Sequence, residues 1–199
     1  MPEQRPNLAI IVLAAGASTR LGQPKQLVHW QGKTLLTSIC ETALAIENSG
    51  VIVVLGAHNE AIWPTIEHLP VQIVINDKWN EGMGSSIACG MAHLTPDTDA
   101  VLLLLCDQPF VSQTLLKNLV DTWQMSAQPI VAAQYGDTLG VPALFDRRCF
   151  EELSKLTGQQ GAKSLISAKP ERVAAVPFPE GVIDLDTQAD LEFLAQKTS

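Results

Sequence analysis

Leu8-Ala9-Ile10-Ile11-Val12-Leu13-Ala14-Ala15-Gly16-Ala17-Ser18-Thr19-Arg20-Leu21-Gly22-Gln23-Pro24-Lys25 runs from an unbroken apolar stretch into a loop of small residues carrying two cations. An aliphatic run ending in turn residues reads as a strand buried on both faces, the kind found in parallel sheets covered by helices. Outward from it, residues 51–55, 71–75 and 100–105 have the same character. Between them, residues 34–46 carry Leu35, Leu36, Ile39, Ala43 and Ile46 at helical spacing, and 85–94 and 113–124 read as further helices. The alternation predicts an α/β fold: a doubly wound, mostly parallel, Rossmann-like sheet with right-handed crossovers, in one domain over residues 1–199.

The last third is less regular. Residues 130–133 and 142–145 read as strands added antiparallel at one edge, and 147–156 and 162–168 as helices. Residues 173–176 and 182–185 read as strands, and 188–196 as a closing helix. No linker, repeat or low-complexity tract interrupts the chain.

A net charge of −8 argues against broad nucleic-acid binding, since backbone phosphates are held by clustered cations. It leaves nucleotide substrates open, because local cations and a metal set the field at a phosphate site. No apolar run approaches the roughly 18 residues needed to cross a bilayer. Arg5 and the apolar run after it superficially resemble a signal peptide. The run ends in a charged loop rather than a cleavage region, so a core strand and a cytoplasmic location are expected. Cys40, Cys89, Cys106 and Cys149 are scattered without a CxxC pair and read as reduced, buried thiols. His29, His58, His68 and His93 lack ligand spacing and read as surface or satisfied residues.

The 16–25 loop is built to meet an anion. Small side chains let backbone N–H groups approach closely, and Arg20 and Lys25 add positive charge, which together suit a polyphosphate. It is not a Walker loop: five residues separate Gly16 from Gly22, and Lys25 is followed by Gln26. The spacing of a dinucleotide fingerprint is also absent. Asp107 ends the fourth buried strand, where a hard oxygen ligand suits Mg²⁺, with Mn²⁺ a possible substitute. Gly82, Gly84, Ser85 and Ser86 open a helix with a turn that lets the main chain touch a flat ligand edge, and Ser85 or Ser86 can cap it. Ligands bind beyond the carboxyl ends of strands in open α/β sheets, so these three segments are expected on one rim. If 182–185 is a strand, Asp184 and Asp186 share a face, and Asp186 is the expected second metal ligand opposite Asp107. Thr187 is the expected N-cap of the last helix, with Asp190 three residues on.

Leu13, Ala14, Ala15, Gly16, Arg20, Gly22 and Lys25, in this order, resemble the signature loop of nucleotidyltransferases with a GT-A-like fold. With 79–86, 140–145, 158–163 and 182–191, nearly the whole chain resembles the molybdenum cofactor cytidylyltransferase branch of the MobA-like NTP transferases. The resemblance implies transfer of a nucleoside monophosphate from an NTP to a phosphorylated acceptor, molybdopterin in that branch, with a client molybdoenzyme as a partner. It implies nucleotide contacts from Leu13, Ala14, Ala15, Gly16, Arg20, Lys25, Gly82, Gly84, Ser85, Ser86 and Asp107. Within that set Lys25 stabilises charge at the α-phosphate and Arg20 holds the outer phosphates. CTP is favoured because guanylyltransferase relatives usually carry Gly where Ala15 stands. No nucleic acid or membrane partner is implied. The chain departs from the pattern at Gln159, Lys163 and Gln188-Ala189, where Asp, Arg and Pro-Glu are usual. Transfer to another phosphorylated acceptor, such as a sugar or polyol phosphate, and a non-catalytic cofactor chaperone are the alternatives.

Overall fold

Every residue of β1 (Leu8–Ala14) is buried in the computed structural model, which describes residues 6–185 together with 187, 189, 190 and 192. After it come a small antiparallel pair, β2 (His29–Trp30) and β3 (Lys33–Thr34), then α1 (Leu35–Leu44) and β4 (Ser49–Leu55). The chain continues through α2 (Asn59–Ile62), β5 (Gln72–Ile75), α3 (Met83–Met91), β6 (Ala100–Leu105) and α4 (Gln113–Met125). It closes with β7 (Ile130–Tyr135), β8 (Thr138–Asp146), α5 (Phe150–Ser154), α6 (Ala162–Ala168) and β9 (Val173–Pro177).

The main sheet has seven strands in the order β5-β4-β1-β6-β8-β7-β9. β1, β4, β5 and β6 pair in parallel, β8 pairs antiparallel with both β6 and β7, and β9 runs parallel to β7. Thus β8 alone runs against the rest, and β7 points the same way as β6. The two faces of β1 feed different halves of the core. Leu8, Ile10 and Val12 pack with Leu36 and Ile39 of α1 and Leu116 of α4, while Ala9 and Ile11 pack with Ile87 of α3, Leu153 of α5 and Ile166 of α6. This period-two division explains why the strand reads as continuously apolar.

The predicted α/β fold and the parallel first four strands are present, but of the two strands expected to add antiparallel only β8 runs against the sheet, while β7 runs with it. Thr34 caps α1 by accepting from Thr37 N–H at 3.1 Å, and Ser112 caps α4 by accepting from Leu115 N–H at 3.2 Å. Two expectations fail. Residues 182–185 are not a strand: a 3₁₀ turn spans Pro179–Val182, and Leu185 N–H donates to the Asp107 carbonyl at 3.1 Å instead of pairing in the sheet. The open edge of β7 is already taken by β9. The helix opening near Ser85 begins earlier, at Met83 with Gly82 as N-cap, so neither serine caps it. Asp186, and most of the helix expected over 188–196, lie outside the described residues. Thr187 and Asp190 do bond reciprocally, Thr187 N–H to Asp190 Oδ2 at 2.7 Å and Asp190 N–H to Thr187 Oγ1 at 3.4 Å.

Cys40, Cys106 and Cys149 are buried, Cys89 is half-buried, and all four are free thiols. Burial first, then the nearby Glu41 carboxylate, pushes the Cys40 thiol up to about 12, so it stays an unreactive thiol at neutral pH. The four histidines are exposed. Among the described residues, no helix is long and apolar enough to cross a membrane.

Candidate active site

Where β1 ends, three successive carbonyls are held from behind. Gln26, fully buried, donates from Nε2 to the Ala14 carbonyl at 2.7 Å and to the Gly16 carbonyl at 2.9 Å. Between them the Ala15 carbonyl accepts from Ala57 N–H at 3.0 Å. In a planar trans peptide the N–H points opposite to the C=O, so the N–H groups of Ala15, Gly16 and Ala17 are turned away from those partners. A Cβ added at Gly16 would meet nothing within 4 Å, so the loop borders open space. Successive N–H groups aimed into such a space form an anion-binding concavity.

The loop then doubles back. Ser18, at φ 53°, accepts from Leu21 N–H through its carbonyl and from Lys25 N–H through Oγ, both at 3.0 Å. Gly22, at φ 75°, supplies the left-handed turn that other residues resist. Leu21 anchors the excursion by burying itself against Val28, Leu35 and Leu185. The result brings Lys25 back to the end of β6, where its Nζ lies 2.5 Å from Asp107 Oδ2. Both side chains are largely enclosed, and Asp107 Oδ1 is buried with no hydrogen-bond partner among the described residues. Backbone placement makes this acid rigid. Its carbonyl takes Leu185 N–H, and the adjacent Gln108 donates from Nε2 to the Val141 carbonyl at 3.0 Å.

The opposite wall rests on Asn76, the buried polar residue directly after β5. Its Nδ2 donates to Ser85 Oγ at 2.9 Å and Ser86 Oγ at 3.0 Å, and its Oδ1 accepts from Lys78 N–H at 3.0 Å. Ser85 Oγ also lies 2.8 Å from the Gly82 carbonyl, an engagement that ties it to the turn. The two glycines are required by a close approach. A Cβ on Gly82 would lie 2.4 Å from the Gly158 carbonyl oxygen, and one on Gly84 2.6 Å from Thr157 N. Gly84 N–H donates to that Gly158 carbonyl at 3.0 Å, docking the loop that carries Gln159 onto the start of α3.

Between the walls lies a cleft of about 440 Å³, a size suited to a small-molecule ligand. Leu13, Ala14, Ala15, Gly16 and Lys25 line one side, and Gly82, Ser86 and Asp107 close it. Three expected residues do not line it: Arg20 is exposed on the outer arm of the loop, and Gly84 and Ser85 lie behind the wall. Sequence reasoning missed Gln26, Asn76, Trp79 and Met83. Asn76 had a readable signal, a polar residue directly after an aliphatic strand, as at Asp107. Gln26 had none, since its burial depends on where the loop folds back. Trp79 and Met83 are exposed large apolar residues at the cleft mouth, where a flat ligand could rest on them.

No group of three or more His, Cys, Asp or Glu side chains converges among the described residues. Asp107 Oδ1, buried with no partner among the described residues, fits a hard cation whose remaining ligands are phosphates and water. Gln26→Leu keeps the volume but leaves two loop carbonyls without their donor. The expected cost is about 2 kcal/mol of stability, read by urea unfolding, with nucleotide affinity falling as the loop loosens.

The model of the MobA-like NTP transferase domain matches residues 10–173. The chain belongs to the MobA-like NTP transferase family. Among known proteins, nicotine blue oxidoreductase of Paenarthrobacter nicotinovorans is 33% identical over 171 residues, 80% of this chain and 81% of that protein. Among solved structures, Rv0371c from Mycobacterium tuberculosis H37Rv is 28% identical with a TM-score of 0.85, covering 97% of this chain and 100% of that one. A manganese complex of Rv0371c is 27% identical with a TM-score of 0.76, covering 96% and 98%. The family is one of nucleotidyltransferases that use nucleoside triphosphates. A small-residue loop, a lysine and a strand-end acid on one rim suit that chemistry.

Proposed function

We propose that this protein transfers CMP from CTP to the phosphate of molybdopterin with release of pyrophosphate, using Mg²⁺ or Mn²⁺. The observation that carries the reading is the enclosed Lys25–Asp107 pair beside a loop whose small residues line the cleft. The acceptor phosphate oxygen attacks the α-phosphorus; a P–O bond forms there, the bridge to the β-phosphate breaks, and its electron pair leaves with pyrophosphate. No general base is required, because a phosphate monoester is already largely ionised near pH 7. Catalysis then rests on positioning and on charge stabilisation. Lys25 meets the charge that builds on the α-phosphate, the loop N–H groups hold the triphosphate, and Arg20 reaches its outer phosphates from the rim. Asp107, with Asp186, would hold the metal, which when bound neutralises phosphate charge. The manganese complex of Rv0371c supports a divalent ion in this scaffold.

CTP is the favoured nucleotide because the Ala15 methyl narrows the cleft at a position where guanylyltransferase relatives usually have Gly. A thermal-shift screen of the four NTPs with Mg²⁺ tests this, since a ligand selective for the folded state raises stability by mass action. CTP is expected to protect more than GTP, and Ala15→Gly to narrow the gap. Stronger protection of the wild type by GTP would overturn the CTP assignment. The nicotine blue oxidoreductase relative supplies a second reading, an oxidation or reduction. Protection by a redox cofactor, with none from any NTP, would favour it.

A further inference from the structure

We propose that Tyr135 binds the second substrate, donating its phenol hydroxyl to the phosphate-bearing end of the acceptor. This inference rests on the nucleotidyl-transfer reading and adds a residue that the family signature motifs do not include. Because β7 runs parallel to β6, its last residue, Tyr135, reaches the same rim as Asp107. The region is continuous: Tyr135 stands over Gly140, the next residue Val141 accepts from Gln108, and Gln108 adjoins Asp107.

The ring is clamped from three sides. A Cβ on Gly140 would fall on the hydroxyl, and one on Gly181 would lie 2.7 Å from ring carbon Cδ1. Phe178 meets the ring edge-on, with centroids 6.4 Å apart at 89°. Two glycines and an aromatic edge therefore hold the hydroxyl in one place, while it makes no hydrogen bond to any described residue. A fixed donor without a partner is arranged for something that arrives. Burial, then the charges of Asp184 and Asp107, raises the phenol above its ordinary range, so it stays a neutral donor at working pH.

Its place says which substrate. The triphosphate loop and Lys25 lie on one side of Asp107, in the cleft whose lining does not include Tyr135. Tyr135 stands on the other side, toward Asp184 and the start of β8. A molecule reaching both Asp107 and Tyr135 approaches the α-phosphorus from outside the nucleotide cleft, as an acceptor must. Beside two acids, a neutral phenol can face a phosphate end without adding to the repulsion.

Tyr135→Phe keeps the clamped ring and removes only the donor. Its melting temperature and CTP dissociation constant should match wild type, while the dissociation constant and KM for molybdopterin rise about tenfold or more, the loss of one hydrogen bond to a charged group. Gly140→Ala, which displaces the hydroxyl by sterics, should reproduce the acceptor defect. Equal molybdopterin affinity and KM in wild type and Tyr135→Phe would overturn the inference while transfer itself stands. An equal loss of CTP affinity would also overturn it, by assigning the hydroxyl to the nucleotide. If the wild type binds CTP but neither binds nor modifies molybdopterin or ribitol 5-phosphate, the acceptor reading falls and Tyr135 with it.

Discussion

Lys25→Ala is expected to lower turnover by roughly 10²–10³-fold, the usual loss when one preorganised charge-stabilising donor is removed from an enclosed site. The side chain is positioned by three separate devices: the Ser18 Oγ bond to its own N–H, the Gly22 turn, and the Asp107 carboxylate on its ammonium. In the proposed mechanism none of these is needed to hold the outer phosphates, which fall to the loop N–H groups and Arg20. The defect should therefore fall on kcat far more than on the CTP dissociation constant, a split that steady-state kinetics and direct titration resolve. Lys25→Arg keeps the charge but trades a compact ammonium for a planar fork, and should recover only part of the rate. Near-normal turnover in Lys25→Ala would remove this residue from the mechanism.

Asp107→Asn is expected to have an effect of similar size by a different route. The amide preserves shape, and the backbone bond from Leu185 N–H does not involve the side chain. What is lost is the negative charge on the oxygen that is buried without a partner among the described residues, and with it the counter-charge of Lys25. Half-maximal activity should need about tenfold more Mg²⁺, and raising the metal concentration should restore part of the rate. Asp186→Asn should show the same metal dependence, and the double variant should be less damaging than the sum if both acids share one ion. A defect confined to Asp184→Asn would move the second ligand to that residue. Unchanged metal dependence in Asp107→Asn would overturn the metal assignment.

Much of the fold was legible because its central strands are buried on both faces and carry no competing pattern. Leu8 through Ala14 reads as a strand of a covered parallel sheet, and Asp107 stood out as the acid that ends such a strand. The rim followed from the topology rule for open sheets, and the cleft does gather residues from β1, β5 and β6 ends. Three features were not legible, each because it depends on residues distant in sequence. Gln26 reads as an ordinary loop residue until the loop folds back under the carbonyls of Ala14 and Gly16. Gly82 and Gly84 read as room for a ligand, whereas their bare Cα positions are filled by the backbone of Thr157 and Gly158. Residues 182–185 alternate as a strand would, but the sheet edge they needed belongs to β9.

The most direct test follows the label. Wild-type protein with Mg²⁺, molybdopterin and CTP labelled at the α-phosphorus should pass that label to the pterin and release one pyrophosphate for each CMP transferred. Release of orthophosphate, or no release of pyrophosphate from any of the four NTPs, would contradict nucleotidyl transfer at this site.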